Sequence, residues 1–263
     1  MQSEISTLPD SPRPNVEGPT QWQPLFSLPA WEIARFTVLN YLRSGWIMLD
    51  IVLVFTVFSV FFTNGELSAD QFFSLALPSM ALLSLLGSAI LTQRTLKANL
   101  YLQLARLSSR AIFIDGVMLA TALLRIPLYL LLLVFTFFIH HHIQGLTVAG
   151  FLLGSLGILL VMMLCAMLTV VLSRPIATRI IQIIFLVWIV IVLYTSVYLS
   201  PDLRHYMQIF QLPLYPISAC YQFALHGTID IWGWLGIVLL LLYMLVFVLA
   251  ARYWFARRDL LFS

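Results

Sequence analysis

Long apolar stretches separated by short polar segments dominate the pattern of this chain. Six of these stretches reach the roughly 20 residues that a helix needs to cross the hydrocarbon core of a bilayer. They are Ser44–Thr63, Phe72–Leu91, Ala111–Ile139, Val148–Leu172, Ile180–Leu199 and Ile231–Ala250. The pattern therefore predicts an all-α, polytopic membrane protein with six transmembrane helices. The third stretch is longer than a bilayer requires, so we expect its helix to tilt or to project from the membrane.

Two flanking segments are expected to lie along the membrane rather than across it. In PAWEIARFTVLNYLRSG, just before the first span, one apolar stripe recurs at helical spacing while Glu32, Arg35 and Arg43 fall on other faces. The stripe consists of Trp31, Ala34, Val38 and Tyr41. This predicts a cytoplasmic surface helix on the inner leaflet; alternatively, the first membrane helix simply starts early. Residues 200–230 are polar and proline-broken yet rich in aromatic side chains, which predicts short helices in the outer leaflet.

Composition supports a membrane protein with a short polar tail. The 263 residues are 61% hydrophobic and only 10% charged, whereas a soluble domain is about 25% charged. Residues 1–23 are polar and proline-rich and lack the pattern of a secretory signal, so they are expected to form a flexible cytoplasmic tail. Residues 24–263 form the predicted membrane domain. Cys165 and Cys220 lie far apart in or near apolar sequence, which favours two buried thiols over a disulfide.

The distribution of basic residues predicts the orientation of the chain. With the N-terminus in the cytoplasm, twelve of the fourteen Lys and Arg residues fall on the inner side. Arg204 alone falls on the outer side, and Arg125 lies within a span. By the positive-inside rule both termini are expected to be cytoplasmic. The same scatter over several loops argues against a nucleic-acid partner, because these residues are explained as topology anchors.

The polar segment Thr92–Arg110, between the second and third spans, carries four of the cationic side chains and no acid. On a helix, its leucines form one stripe and its polar residues another, so it predicts an amphipathic cytoplasmic helix. The leucines are Leu96, Leu100, Leu104 and Leu107, and the opposite stripe is Asn99, Gln103, Arg106 and Arg110. Two interpretations remain open: the helix lies on anionic lipid, or it docks onto another protein.

Motifs for catalysis by this chain alone are absent from the sequence. No G-x-x-x-x-G-K-[ST] phosphate loop surrounds Lys97, the only lysine, and no H-E-x-x-H or G-x-S-x-G motif occurs. GSLG (Gly154–Gly157) is interpreted as a small-residue helix-packing face. All five histidines fall on the predicted outer side, three of them adjacent, and their side chains do not converge on a helix. We therefore predict an ordinary polar loop there and no metal site.

Three ionisable residues fall within the predicted spans, where charge is energetically costly. Asp50 lies close enough to the inner surface to snorkel or to pair, with Arg43 two turns away on nearly the same face. Asp115 is expected at the interface. Arg125 is deeper, so it should face protein or a cavity, with the Leu123 carbonyl freed by Pro127 as one local acceptor. Arg125 either fixes helix packing or lines a substrate path.

The order of these elements resembles the membrane subunit of an ABC type-2 exporter. A surface helix precedes the first span, a basic helix joins spans two and three, and a broken apolar segment precedes the sixth span. Local matches are QRTL (Gln93–Leu96), LSSR (Leu107–Arg110) and FARRDLL (Phe255–Leu261). The resemblance covers residue 24 to the end. It departs from the family in one respect, because the family commonly has an acidic residue in the basic loop and this chain has none there.

The resemblance implies a non-catalytic permease of a bacterial inner membrane, surrounded by membrane lipid and paired with a second permease subunit, identical or different. Cytoplasmic ABC ATPase subunits would bind ATP and Mg²⁺, and this chain would bind no cofactor. Transport would proceed by alternating access or lateral extrusion between the two permease subunits. The basic helix would be the coupling element, through Arg94, Lys97, Gln103, Arg106 and Arg110. Trp31, Glu32 and Arg35 would position the surface helix, and Asp50 and Arg125 are the candidate path residues.

Two other functions fit the same pattern. One is a non-transporting assembly protein that uses the basic loop to recruit a soluble partner, and the other is a membrane-embedded lipid-modifying enzyme. If the chain belongs to an exporter, the absence of a large outer domain from the sequence favours lipids, hydrophobic drugs or amphipathic peptides as substrates.

Overall fold

The computed structural model describes residues 27–63, 67–98, 110–139, 143–173, several positions within 180–191, and 231–257. Within this part of the chain the fold is all-helical, and six helices have defined bounds. They are α1 (Leu28–Arg43), α2 (Ile47–Phe61), α3 (Ala69–Ala98), α4 (Arg110–Ile139), α5 (Val148–Val171) and α6 (Ile231–Arg257). The predicted tail, the outer segment 200–230, the three adjacent histidines and Cys220 lie outside the described residues.

Four helices of the described part are long and apolar enough to cross a membrane. They run over Ala69–Thr95, Ala111–Ile139, Val148–Val171 and Trp234–Phe255, and they correspond to the second, third, fourth and sixth predicted spans. Helix α2 has only 15 residues and passes the same test only together with α1, from which it is bent by 75°. The fifth predicted span, Ile180–Leu199, falls largely outside the described residues. The membrane-type fold is thus confirmed, while six spans remain a prediction.

Helix α1, the turn at residues 44–46 and α2 together form an elbow. Gly45 provides the turn, with a φ of +74° in the left-handed region that glycine adopts without strain. The Ser44 hydroxyl donates a hydrogen bond of 2.8 Å to the Tyr41 carbonyl and reinforces the end of α1. The predicted start of the first span at Ser44 is therefore close to the observed bend, and the segment before it is a helix of its own.

The face of α1 that packs against α4 differs in part from the predicted stripe. Its buried residues are Ala30, Ala34, Thr37 and Tyr41. Trp31, which the hydrophobic pattern placed in the stripe, is 52% exposed. The cause is the close approach of the two helices: a Cβ atom added at Gly116 of α4 would lie 2.6 Å from Ile33 Cβ and 2.9 Å from the Ala30 carbonyl oxygen. Small side chains allow this distance, and an indole would not.

The centre of the bundle is built by α3, α4 and α5. A Cβ atom at Gly154 of α5 would lie 2.4 Å from the ring of Phe73 of α3, which confirms Gly154 as a packing residue. The Ser84 hydroxyl donates to the Met162 carbonyl across the same interface at 2.6 Å. Helix α4 is joined to α5 by the Tyr129 hydroxyl, which donates to the Ser155 hydroxyl at 2.9 Å. Most side chains at these contacts are buried and apolar, as the packing of a membrane bundle requires.

Helices α3 and α4 are longer than a membrane crossing requires. Each contains 30 residues, which corresponds to about 45 Å at 1.5 Å per residue, against a hydrocarbon core of roughly 30 Å. Helix α3 continues through Ala98, so residues 92–98, which the sequence assigned to a separate amphipathic helix, extend the second span. Residues 99–109 lie outside the described part. We call the region where α3 ends and α4 begins the basic end of the bundle.

Candidate functional site

A buried ion pair joins three helices at the elbow. Arg125 of α4 and Asp50 of α2 are both completely buried, and Arg125 Nη2 lies 3.8 Å from Asp50 Oδ2. The Tyr41 hydroxyl of α1 donates a hydrogen bond of 3.0 Å to the same carboxylate oxygen. These three residues are called the ion-pair cluster. Their arrangement neutralises one carboxylate with one guanidinium in a region where an isolated charge would be strongly unfavourable.

Helix α3 closes the ion-pair cluster through a glycine. A Cβ atom at Gly87 would lie 2.6 Å from Arg125 Nη1 and 2.7 Å from Asp50 Oδ1. A larger residue at this position would displace the guanidinium or the carboxylate from their present positions, so the glycine leaves room for the ion pair as it stands. One turn further along α3, Leu91 packs with Tyr41 and Leu124 in a small hydrophobic cluster. Four helices thus converge on the ion pair.

The hydrogen-bonding capacity of the ion-pair cluster is only partly used. Arg125 Nε donates to the Thr121 carbonyl at 3.3 Å, one turn earlier in α4. Arg125 Nη1 and Nη2 and Asp50 Oδ1 are buried and have no hydrogen-bond partner among the described residues. Buried polar groups are normally paired, so an ion pair with three unpaired atoms is a candidate functional site rather than a purely structural one. The pair as a whole carries no net charge, and it forms a polar contact between α2 and α4.

The sequence predicted some features of this cluster and missed others. Arg125 faces protein, as its depth in the span required, but it bonds to Thr121 rather than to the Leu123 carbonyl. Asp50 neither snorkels nor pairs with Arg43, which is exposed; it is 0% exposed and pairs with Arg125. One signal in the sequence could have predicted this pair. Asp50 and Arg125 carry opposite charges within apolar stretches, and a charge buried in such a stretch needs an opposite charge as its partner.

A second ion pair connects α4 with α6 near the basic end. Asp115 Oδ1 accepts a hydrogen bond of 2.7 Å from Arg252 Nε, and Asp115 Oδ2 accepts one from Arg252 Nη2. Asp115 is 0% exposed, so it is buried within the protein, while its predicted depth at the membrane interface stays a prediction. The fork of the guanidinium matches both carboxylate oxygens, which makes this a geometrically specific bond. The stacked rings of Phe113 and Phe255, with centroids 6.2 Å apart, strengthen the same helix contact.

The first residue of the predicted coupling set contacts the elbow. The guanidinium carbon of Arg94, near the end of α3, lies 4.0 Å from the centroid of the Trp46 ring, in the turn between α1 and α2. At this distance the cation is attracted by the negative face of the indole. The backbone of Lys97 belongs to α3 and Arg110 begins α4, but their side chains are outside the described part. Gln103 and Arg106 lie in residues 99–109, which are also outside it.

The three residues predicted to position α1 lie at the surface of the described structure. Trp31, Glu32 and Arg35 are all exposed on α1. Among the described residues, no group of three or more His, Cys, Asp or Glu side chains is arranged to hold a metal ion. Cys165 is a buried free thiol within α5. The contacts between charged or aromatic side chains described above that join different elements are the two ion pairs, the Arg94–Trp46 contact and the stacked Phe113 and Phe255 rings.

These features define a class: an all-helical, membrane-embedded protein with an ion pair buried inside its helix bundle. No protein-family model matches the chain, and no curated protein matches it with significant similarity. The assignment of a function therefore depends on the residues and contacts described above.

Proposed function

We propose that this chain is the transmembrane subunit of an ABC type-2 exporter in a bacterial inner membrane. In this proposal it forms the translocation path together with a second permease subunit, and separate cytoplasmic ATPase subunits supply the energy. The chain itself carries out no chemistry. The observation that carries the proposal is the elongation of α3 and α4, each of which has 30 residues and is longer than a membrane crossing requires.

This elongation suits a coupling element. In the proposal the excess length of α3 and α4 lies at the basic end, and residues 99–109 between them, the basic loop, are the segment that a soluble partner contacts. Because a continuous helix is stiff along its axis, a displacement of the loop would be passed to the parts of α3 and α4 inside the membrane. In the proposal Arg94, Lys97, Gln103, Arg106 and Arg110 make or orient the contact with the ATPase.

Contacts near the basic end offer routes from this loop to the rest of the bundle. Arg94 stacks on Trp46 and links the end of α3 to the elbow. Gly116 lets α1 pack directly against α4, so that α1 follows α4 when it moves. The ion pair of Asp115 with Arg252 ties α4 to α6. Each contact lies between elements that rearrange together in the proposed transport cycle.

The proposal also gives the ion-pair cluster a role in the transport cycle. It joins the elbow to α4, and three of its polar atoms have no partner in the described structure. In the proposal Asp50 and Arg125 separate or exchange partners when the bundle opens, and their unpaired atoms then face the path. Trp31, Glu32 and Arg35 keep α1 at the inner membrane surface during this change.

Reversal of charge in the basic loop tests the coupling role. We expect the double variant Arg106→Glu/Arg110→Glu to insert normally and to lose ATP-dependent transport, because it repels a partner surface that complements two arginines. Loss of the stimulation of ATP hydrolysis by substrate in reconstituted vesicles is the measurement. We expect a reduction of about tenfold or more, equivalent to roughly 1.4 kcal/mol of coupling free energy.

The matched control is Arg257→Glu/Arg258→Glu, which changes the charge on the same predicted side by the same amount, outside the loop. This control should retain stimulated ATP hydrolysis. Equal stimulation in the two double variants would contradict the coupling role. A partner that is recruited through the loop but hydrolyses no ATP would favour an assembly protein, and activity of the isolated chain on lipid would favour an enzyme.

A further inference from the structure

An apolar groove of about 570 Å³ runs along the inside of the elbow. One face of α1, the first turns of α2 and the middle of α4 form its walls. The lining includes Trp31, Leu42, Ile51, Leu128 and Leu131. Arg35 is the one charged residue among the lining residues of the described structure, and the remainder are apolar. This volume falls within the roughly 300–1,000 Å³ that is typical of small-molecule sites.

The groove is separate from the ion-pair cluster. Helix α4 presents Leu124 and Leu128 to the groove, whereas Arg125 turns towards α3 and approaches Gly87. Asp50 likewise does not line the groove, although its neighbour Ile51 does. An occupant of the groove would therefore contact hydrocarbon walls and Arg35, with no access to the buried charges.

We propose that this groove binds one acyl chain of an anionic phospholipid, with the lipid phosphate paired to Arg35. An acyl chain has no hydrogen-bonding groups, so the apolar walls leave none of its atoms unsatisfied. An irregular peptide segment in the same place would bury backbone N–H and C=O groups without partners. The proposal requires only that the protein is embedded in a membrane, and it does not depend on the exporter function.

The position of Arg35 selects the lipid headgroup. Its side chain is exposed on α1, so it can reach a phosphate while its aliphatic part stays along the groove. Trp31, one turn before it, places an amphipathic indole beside the same site, and such residues prefer the level of the headgroups. A basic side chain next to an acyl groove favours a lipid with net negative charge over a zwitterionic one, whose own cation competes with the arginine.

Native mass spectrometry of the purified full-length protein tests this proposal. The protein is titrated separately with phosphatidylglycerol, which is anionic, and with phosphatidylcholine, which is zwitterionic. We expect the first bound phosphatidylglycerol to be held more tightly than phosphatidylcholine. We also expect Arg35→Gln to weaken that site by about five- to tenfold, the effect of one basic residue at a membrane surface. Arg43→Gln, an exposed arginine of the same helix outside the lining, is the matched control and should leave the affinity unchanged.

A groove-filling variant tests the acyl chain independently of the headgroup. Leu128→Trp should remove the tightest bound lipid, whereas Leu130→Trp, two residues away and 52% exposed, should retain it. If Leu128→Trp does not give a monodisperse protein, Ile51→Phe narrows the groove from α2. Equal binding of the two lipids by the unmodified protein, or equal effects of Arg35→Gln and Arg43→Gln, would overturn the assignment of the headgroup. Unchanged binding after the groove is filled would overturn the assignment of the acyl chain.

Discussion

Replacement of Arg125 by methionine is expected to destabilise the folded bundle by about 3–5 kcal/mol, the usual effect of breaking a buried ion pair from one side. The reason is that Asp50 would remain completely buried with its counter-charge removed, and only the Tyr41 hydroxyl would still donate to it. The free energy of unfolding of the purified protein in detergent micelles, measured by a denaturant titration, gives the magnitude.

The double variant Asp50→Leu/Arg125→Met separates the ion pair from simple packing. It removes both charges together, so we expect most of the lost stability to return, because an apolar pair of similar volume is often as stable as a buried salt bridge. The Tyr41 hydroxyl keeps the Trp46 carbonyl as an acceptor, at 3.5 Å. A double variant that loses the sum of the two single effects would show that Asp50 and Arg125 do not interact.

Replacement of Asp115 by arginine is expected to be the next most destabilising change. It would place a second guanidinium beside Arg252 at a position that is 0% exposed, and it would remove the bidentate bond between α4 and α6. We expect a loss of about 3 kcal/mol or more in the same denaturant titration. The exchanged pair Asp115→Arg/Arg252→Asp should recover part of this loss, because it restores opposite charges at the same contact.

The matched control for Asp115 is Asp70→Arg, an equal change of charge at an exposed position in the first turn of α3. Exposed substitutions away from special contacts usually change stability by less than about 0.5 kcal/mol, to which an opposed helix dipole adds some tenths. If Asp70→Arg and Asp115→Arg had equal effects, the loss would come from net charge and not from the bond to Arg252.

The sequence predicted the membrane helices well because their signal is local. The predicted spans Ala111–Ile139 and Val148–Leu172 differ from α4 and α5 by one residue at one end. Continuous runs of apolar residues bounded by polar ones determine such limits, since the hydrocarbon thickness sets the length. The prediction was less accurate for α3, because the polar residues after Leu91 do not end the helix. Their helix propensity carries it on to Ala98.

Features that depend on pairs of distant residues were not predicted from the sequence. Hydropathy required that Arg125 have a protein environment, but it did not specify Asp50, 75 positions earlier, as the partner. The sequence likewise did not specify Arg252 of the last helix as the partner of Asp115. On α1, hydrophobicity favoured Trp31 for the buried face. The structure instead buries Ala30, because Gly116 brings the α4 backbone close to α1.

In the proposed transport cycle the two ends of the elbow would have different mechanical roles. At the turn, an exposed arginine, Arg94, contacts the half-buried indole of Trp46 through a single weak attraction, which could break and re-form in the proposed cycle. At the start of α2, the buried ion pair resists separation unless its unpaired atoms gain new partners. A transport cycle that opens the bundle would therefore be expected to affect Asp50 and Arg125 only when ligand or water reaches them.

We propose above all that an ATP-hydrolysing companion drives this membrane subunit through its basic loop. The most direct measurement is the subunit composition of the native complex, purified in mild detergent through a tag on this chain. We predict a stable complex that contains a soluble ATPase with nucleotide-binding motifs, and we predict that Arg106→Glu/Arg110→Glu releases it or uncouples it. A native complex that lacks any such ATPase, from membranes in which the chain is folded, would contradict the account.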